Sequence, residues 1–150
     1  MRDKALRIAA QFLEEKLNAD LSDRPGPELP CSCGGTARYV DRREKTFSAV
    51  LGDITLKRAY YYCPACGKGF CPKDQALGLD GSSLSPGVIR MAGLVAASTS
   101  FQESALLLKE LAGVPLDAKG VERAAKGLGT AIAQDEASFV EPALPASSTM

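Results

Sequence analysis

Five cysteines and no histidine set the metal chemistry open to this chain. Cys63-Pro64-Ala65-Cys66-Gly67 is a C-x-x-C knuckle. That spacing lets both sulfurs point at one ion, and Gly67 can turn the chain after the second. Cys31-Ser32-Cys33-Gly34-Gly35 reads as a second knuckle, shortened to C-x-C. Four thiolates in a tetrahedron suit Zn2+ and close its coordination sphere. The expected cofactor is therefore a structural zinc on Cys31, Cys33, Cys63 and Cys66, with no open position for catalysis. Cys71, the fifth thiol, is either a buried apolar cysteine or a replacement for Cys31 as ligand. Two other readings stand beside zinc. A C-x-x-C pair also serves thiol exchange, although the strand-and-helix context of a thioredoxin is missing here. Otherwise the thiols are inert.

The knuckles bracket segments of strand character at 37–41, 46–51 and 54–62, rich in Val, Ile, Thr, Tyr and Phe. Gly52-Asp53 reads as a two-residue hairpin turn between the last two. In the third run Ile54, Leu56, Tyr60 and Tyr62 alternate with Thr55, Lys57, Ala59 and Tyr61, giving one apolar and one wetter face. Knuckles around a hairpin make a zinc ribbon, expected over 31–80. Before it, Leu6, Ala9, Ala10, Leu13 and Leu17 fall at helical spacing, predicting an N-terminal helix within 1–24. Pro25, Pro27 and Pro30 mark a linker over 25–30.

After Asp80 the pattern is helical again. Ser85-Pro86 is a helix start, and Ser100 with Glu103 fits a capping box. Gly113 and Pro115 close that second helix, and Asp117 can cap a third over 118–128. A fourth segment is expected over 130–140, and a disordered tail over 141–150. The fold class is thus α+β: an N-terminal helix, a small antiparallel β zinc ribbon, then a helix-turn-helix region over 84–140.

Length and composition fit one globular domain or two small ones, with 45% hydrophobic and 24% charged residues in 150. The net charge is zero, but it is unevenly spread. Residues 31–73 hold eight basic and three acidic side chains. Such a basic segment is the electrostatic footprint of a nucleic-acid contact, or else a solvated strand face. On the third helix Ala118, Val121, Ala125 and Leu128 form a packing stripe, with Lys119, Glu122, Arg123 and Lys126 opposite. A recognition helix has this layout, and so does an ordinary helical hairpin. No run reaches the roughly 18 apolar residues of a membrane span. Residues 1–18 lack a signal-peptide pattern. A cytoplasmic location is expected, where thiols stay reduced.

The run from 31 to 140 resembles the N-terminal region of bacterial insertion-sequence transposases of the ISKra type. The residues that carry the resemblance are C-S-C-G-G-T-A-R-Y-V-D-R-R at 31–43 and L-G-D-I-T-L-K-R-A-Y-Y-Y-C-P-A-C-G-K-G-F at 51–70. P-K-D-Q-A-L-G-L at 72–79, L-S-P-G at 84–87 and S-F-Q-E-S-A-L-L-L-K-E-L-A-G-V at 100–114 follow in consistent order. The resemblance implies a zinc ribbon, a helix-turn-helix, and then an RNase-H-like catalytic domain with three acidic metal ligands. The chain departs from that pattern in its C-x-C knuckle and in Gly120, where a threonine or similar residue is expected. It also ends at Met150, before any catalytic domain. Asp135, Glu136 and Glu141 lie too close in sequence to supply a triad. No catalytic residue is therefore expected, and the chain is expected not to act alone as an enzyme. A truncated gene, a split first frame or a fragment made for expression would each give such a chain. The expected partner is double-stranded DNA at transposon ends. Arg38, Arg42, Arg43, Lys45, Lys57 and Arg58 would lie on phosphates, and Lys119, Arg123 and Lys126 would approach the major groove. The alternative is a zinc-stabilised protein-interaction module that self-associates or binds a protein partner through its N-terminal and Leu-rich helices.

Overall fold

The computed structural model describes residues 1–138, and its fold is α+β, as the strand and helix patterns predict. An N-terminal helix leads into a four-stranded antiparallel sheet, and helices follow. The tail expected over 141–150 lies outside the described residues.

Helix α1 (Arg2–Ala19) buries Ala10 and packs Leu13 and Leu17 toward the sheet. A cation from far along the chain closes its end. Lys73 Nζ donates to the carbonyls of Leu17 at 2.9 Å and Asp20 at 2.7 Å. Positive charge thus meets the negative end of the helix dipole.

Strands β1 (Glu28–Pro30), β2 (Thr36–Ala49), β3 (Gly52–Cys63) and β4 (Lys68–Phe70) lie side by side in chain order. β1 takes up half of the expected linker, at a sheet edge where proline is tolerated. The runs at 37–41 and 46–51 are one strand, not two. Arg42 to Lys45 look like a polar break, yet each pairs with β3 from Ala59 to Leu56. A bulge between Tyr39 and Asp41 absorbs Val40.

The hairpin turn is Val50-Leu51, not Gly52-Asp53, because Ala49 already pairs with Gly52. Gly52 has φ 132°, and among the described residues only glycines have positive φ, so it supplies the left-handed step after the turn. Packing selects this register. It sets Phe47 against Ile54, and both are buried. The expected turn would have set Phe47 against Arg58.

The buried side of β3 changes along its length. At the hairpin end Ile54 and Leu56 are buried with Phe47, Ala10 and Leu79. At the other end Ala59, Tyr61 and Cys63 are buried with Ala37. The single apolar face expected through Tyr60 and Tyr62 is therefore split, and Tyr62 is 41% exposed. Helix α1 and residues 77–79 cover one face of the sheet. The knuckles and the chain near Gly26, whose carbonyl accepts from Tyr61 Oη at 2.7 Å, cover the other.

Side chains also close the outer edge of β3. Glu14 Oε2 accepts from the Thr55 N–H, Asn18 Oδ1 from the Lys57 N–H, and Asp23 Oδ2 from the Ala59 N–H, at 2.8, 2.8 and 2.7 Å. Asn18 Nδ2 donates to the Thr55 carbonyl at 2.9 Å. The edge cannot template another strand while these bonds hold.

Helix α2 (Pro72–Ala76), which no sequence pattern announced, follows β4. Helix α3 (Pro86–Ala96) is capped by Ser85, and α4 (Phe101–Leu107) by the Ser100–Glu103 box, as predicted. A π-helical turn over Leu108–Ala112 ends at Gly113, φ 72°. Asp117 Oδ1 accepts from the Gly120 N–H at 2.7 Å and opens α5 (Ala118–Ser138). The two segments expected over 118–128 and 130–140 join in one helix as far as Ser138, and residues 139–140 lie outside the described residues. Thr130 does not cap a new one; its hydroxyl bonds back to the Lys126 carbonyl at 3.0 Å and leaves the helix running. Val88, Ala92, Leu108, Val114, Val121 and Ala124 form the helical core. Two backbone bonds of 2.9 Å, from Ser48 to Ser83 and from Ser85 to Ser48, tie the hairpin to the start of α3.

Candidate metal centre

Both knuckles are shaped by their glycines. Gly34 (φ 86°) and Gly67 (φ 67°) take left-handed steps. The Gly34 N–H then reaches the Cys31 carbonyl at 3.0 Å, and the Gly67 N–H the Cys63 carbonyl at 2.9 Å. The Gly35 N–H donates to Cys33 Sγ at 3.4 Å, so the loop already solvates a thiolate. A Cβ on Gly35 would sit 2.9 Å from Ala65 Cβ, 3.2 Å from Cys63 Sγ and 3.3 Å from Cys33 Sγ. The missing side chain is what lets the first knuckle close on the second.

The sulfurs of Cys31, Cys33, Cys63 and Cys66 all lie within 4.8 Å of one another. Cys31 and Cys66 are 3.7 Å apart, as are Cys33 and Cys63. A disulfide needs about 2.05 Å, so these are free thiols. A tetrahedral ion with metal–sulfur bonds of about 2.3 Å demands sulfurs about 3.8 Å apart. Two of the separations meet that demand and the others stay within 4.8 Å, so the four predicted ligands could hold a metal ion. Cys71 is buried and stands outside the cluster. Burial pushes its thiol up, as expected of an apolar cysteine.

Neighbouring groups set the protonation of the first knuckle. The Cys33 N–H brings the Cys31 thiol down to about 7. The Gly35 N–H pulls on Cys33 in the same direction, but the three neighbouring thiols outweigh it and push Cys33 up to about 11. Four thiolates this close repel one another unless a cation sits among them.

The basic residues divide sharply. Arg42 donates to the buried Asp23 at 2.8 Å. Arg58, whose side chain is 12% exposed, is bonded to the buried Asp74, and Lys45 meets the same carboxylate at 3.3 Å. These three spend their charge inside the protein. Arg38, Arg43 and Lys57 are exposed, each facing an exposed carboxylate: Glu28, Asp41 and Glu44. Lys119, Arg123 and Lys126 project from α5 into solvent, opposite the buried Val121 and Ala124. Sequence reasoning missed Asp23 and Asp74, since partners so far away in the chain leave no spacing signal. Arg123 also borders a groove of about 770 Å³ between residues 81–84, α3 and α5, lined by Leu84, Ile89, Gly120 and Leu128.

No helix among the described residues is long and apolar enough to cross a membrane. Comparison with known protein families, with curated proteins and with solved structures finds no match.

Proposed function

We propose that this chain is the zinc-containing, DNA-binding N-terminal portion of an ISKra-like transposase, working in the bacterial cytoplasm on double-stranded DNA at transposon ends. The observation that carries the reading is the convergence of four thiols within 4.8 Å of one another, on a sheet followed by helices of which α3 and α4 are capped. Element order supports it. Helix α4, the turn over 113–117 and α5 follow the ribbon as a helix-turn-helix would. The apolar side of α5 is buried and its cations are exposed. Phosphate contacts fall to the exposed Arg38, Arg43, Lys57, Lys119, Arg123 and Lys126. The metal is zinc by donor chemistry, and four thiolates leave it structural. Arg42, Lys45 and Arg58 serve DNA indirectly, by holding the sheet that presents the others.

The test is duplex binding by the zinc-loaded chain at rising salt. Affinity should fall steeply, because phosphate contacts release counterions. Lys119→Glu with Arg123→Glu should abolish retention without altering metal content. A salt-independent complex, or one indifferent to that pair, removes the reading. A protein-interaction module is the second reading, favoured by Ile8 and Phe12, 66% and 61% exposed one turn apart on α1. It predicts a concentration-dependent oligomer that Phe12→Asp dissolves.

A further inference from the structure

Helix α1 and residues 77–79 cover their face of the sheet only at the hairpin end, and beside the metal centre that face is open. Alternation along β3 puts Tyr60 and Tyr62 on it, opposite the buried Ala59, Tyr61 and Cys63. Asp41 pairs with Tyr60 across the strands, and Arg38 pairs with Tyr62. The Arg43 guanidinium stacks on the Tyr60 ring, 3.5 Å from its centroid. Beneath that ring lies Gly69 of β4, where a Cβ would fall 1.9 Å from Tyr60 Oη. The missing side chain lets Tyr60 lie along the sheet, with Arg43 on top. Tyr62 has no ring partner and no hydroxyl hydrogen bond among the described residues.

The two arginines are loosely held. Arg38 meets Glu28 at 3.2 Å with the side chains 74% and 54% exposed. Arg43 meets Asp41 at 2.9 Å with 48% and 51% exposed. Exposed pairs of this kind contribute little, and a phosphate can replace the carboxylate.

We propose that this face binds single-stranded nucleic acid, one base stacked on Tyr62 and the next on the Arg43–Tyr60 pair, with Arg38 on the phosphate between. Aromatic and guanidinium planes on an open sheet are platforms for unpaired bases. Residues two apart on a strand are separated by about 6.7 Å. Bases in a duplex are stacked about 3.4 Å apart, so only splayed bases reach both platforms. An apolar protein partner fits less well, since the face carries tyrosine hydroxyls and the charges of Arg38, Asp41 and Arg43. The proposal rests on the nucleic-acid reading above and shares Arg38 and Arg43 with it, but adds the Tyr60 and Tyr62 platforms and a different strand state.

The experiment uses the zinc-loaded chain and a fluorescein-labelled dT12 strand, read by anisotropy. An abasic strand of equal length and a duplex serve as controls. Tyr62→Ala should weaken dT12 binding about tenfold or more. Tyr62→Phe should restore it, because stacking does not need the hydroxyl. The abasic strand should bind weakly and ignore Tyr62→Ala, and duplex binding should be unchanged by Tyr62→Ala. Tyr62 is exposed, so unchanged metal content and melting temperature will show that the variant folds. If dT12 binds no better than the abasic strand, or Tyr62→Ala leaves it unchanged, the proposal falls even where duplex binding stands. If dT12 binding depends on Tyr62 while the duplex is not bound, the proposal stands and the duplex reading falls.

Discussion

Among residues, identity matters most where burial leaves no substitute. Cys63→Ser should cost the chain its metal, while Cys71→Ser should keep it, as counted by metal per chain after gel filtration. Equal loss from both would return Cys71 to the ligand set. Gly35→Ala should act like a ligand mutation, because its methyl would press on two sulfurs and Ala65. The ion pairs follow the same logic of burial. Asp74 is buried and faces both Lys45 and Arg58. Asp74→Ala leaves two cations without their counter-charge and should destabilise the protein by roughly 3–5 kcal/mol in urea unfolding. Arg38→Ala removes an exposed pair and should change stability by less than about 1 kcal/mol. Similar effects from these two variants would mean that Asp74 is not the counter-charge described here.

Single elements depend on their caps and edges. Ser85 accepts from the Val88 N–H at 3.3 Å, and Ser85→Ala should cost about 1 kcal/mol. In the α4 capping box the Ser100 N–H, then its hydroxyl, hold the Glu103 carboxyl below its ordinary 4.5. A depressed carboxyl stabilises the fold above its unfolded pKa and loses that effect as pH falls through the folded one. Acid titration should therefore weaken the wild-type chain more than Glu103→Gln below about pH 4.5. Parallel acid limbs for the two proteins would count against the box. These caps were legible in the sequence because each is a motif of two to four neighbouring residues. The knuckles were legible for the same reason. The hairpin register was not, since Gly52-Asp53 is a good local turn and only the burial of Phe47 against Ile54 displaces it. Nor was the joining of the last two helices, because Gly127 and Gly129 look like an interruption that the helix tolerates. The pairing of Arg42 with Asp23, and of Arg58 and Lys45 with Asp74, arises only once the chain is folded. A segment read as surplus positive charge is in part the internal scaffold of a sheet.

At the scale of the molecule, the helical core and the ribbon core are separate clusters. Val88, Ala92, Leu108, Val114, Val121 and Ala124 touch no cysteine, whereas Ala37, Ala59 and Tyr61 pack around Cys63 and its neighbours. Helix α1 belongs with the sheet, and the link from hairpin to α3 is narrow, two backbone bonds at Ser48, with Arg2 of α1 donating to the Leu111 carbonyl besides. With a metal on its four cysteines, a ribbon this small would draw much of its folding free energy from the ion, on the order of 10 kcal/mol. The helices need no metal to bury their apolar stripe. The four tyrosines, at 39, 60, 61 and 62, all lie in the ribbon, and the chain has no tryptophan. The near-ultraviolet tyrosine band therefore reports on the ribbon, and the 222 nm signal on the helices. Chelation should collapse the first and leave most of the second, with zinc restoring both. Simultaneous loss of the two signals would show one cooperative unit and remove the division drawn here. If the division holds, metal removal also separates the binding surfaces. It should abolish whatever Arg38, Arg43, Tyr60 and Tyr62 bind while leaving the exposed cations of α5 in place.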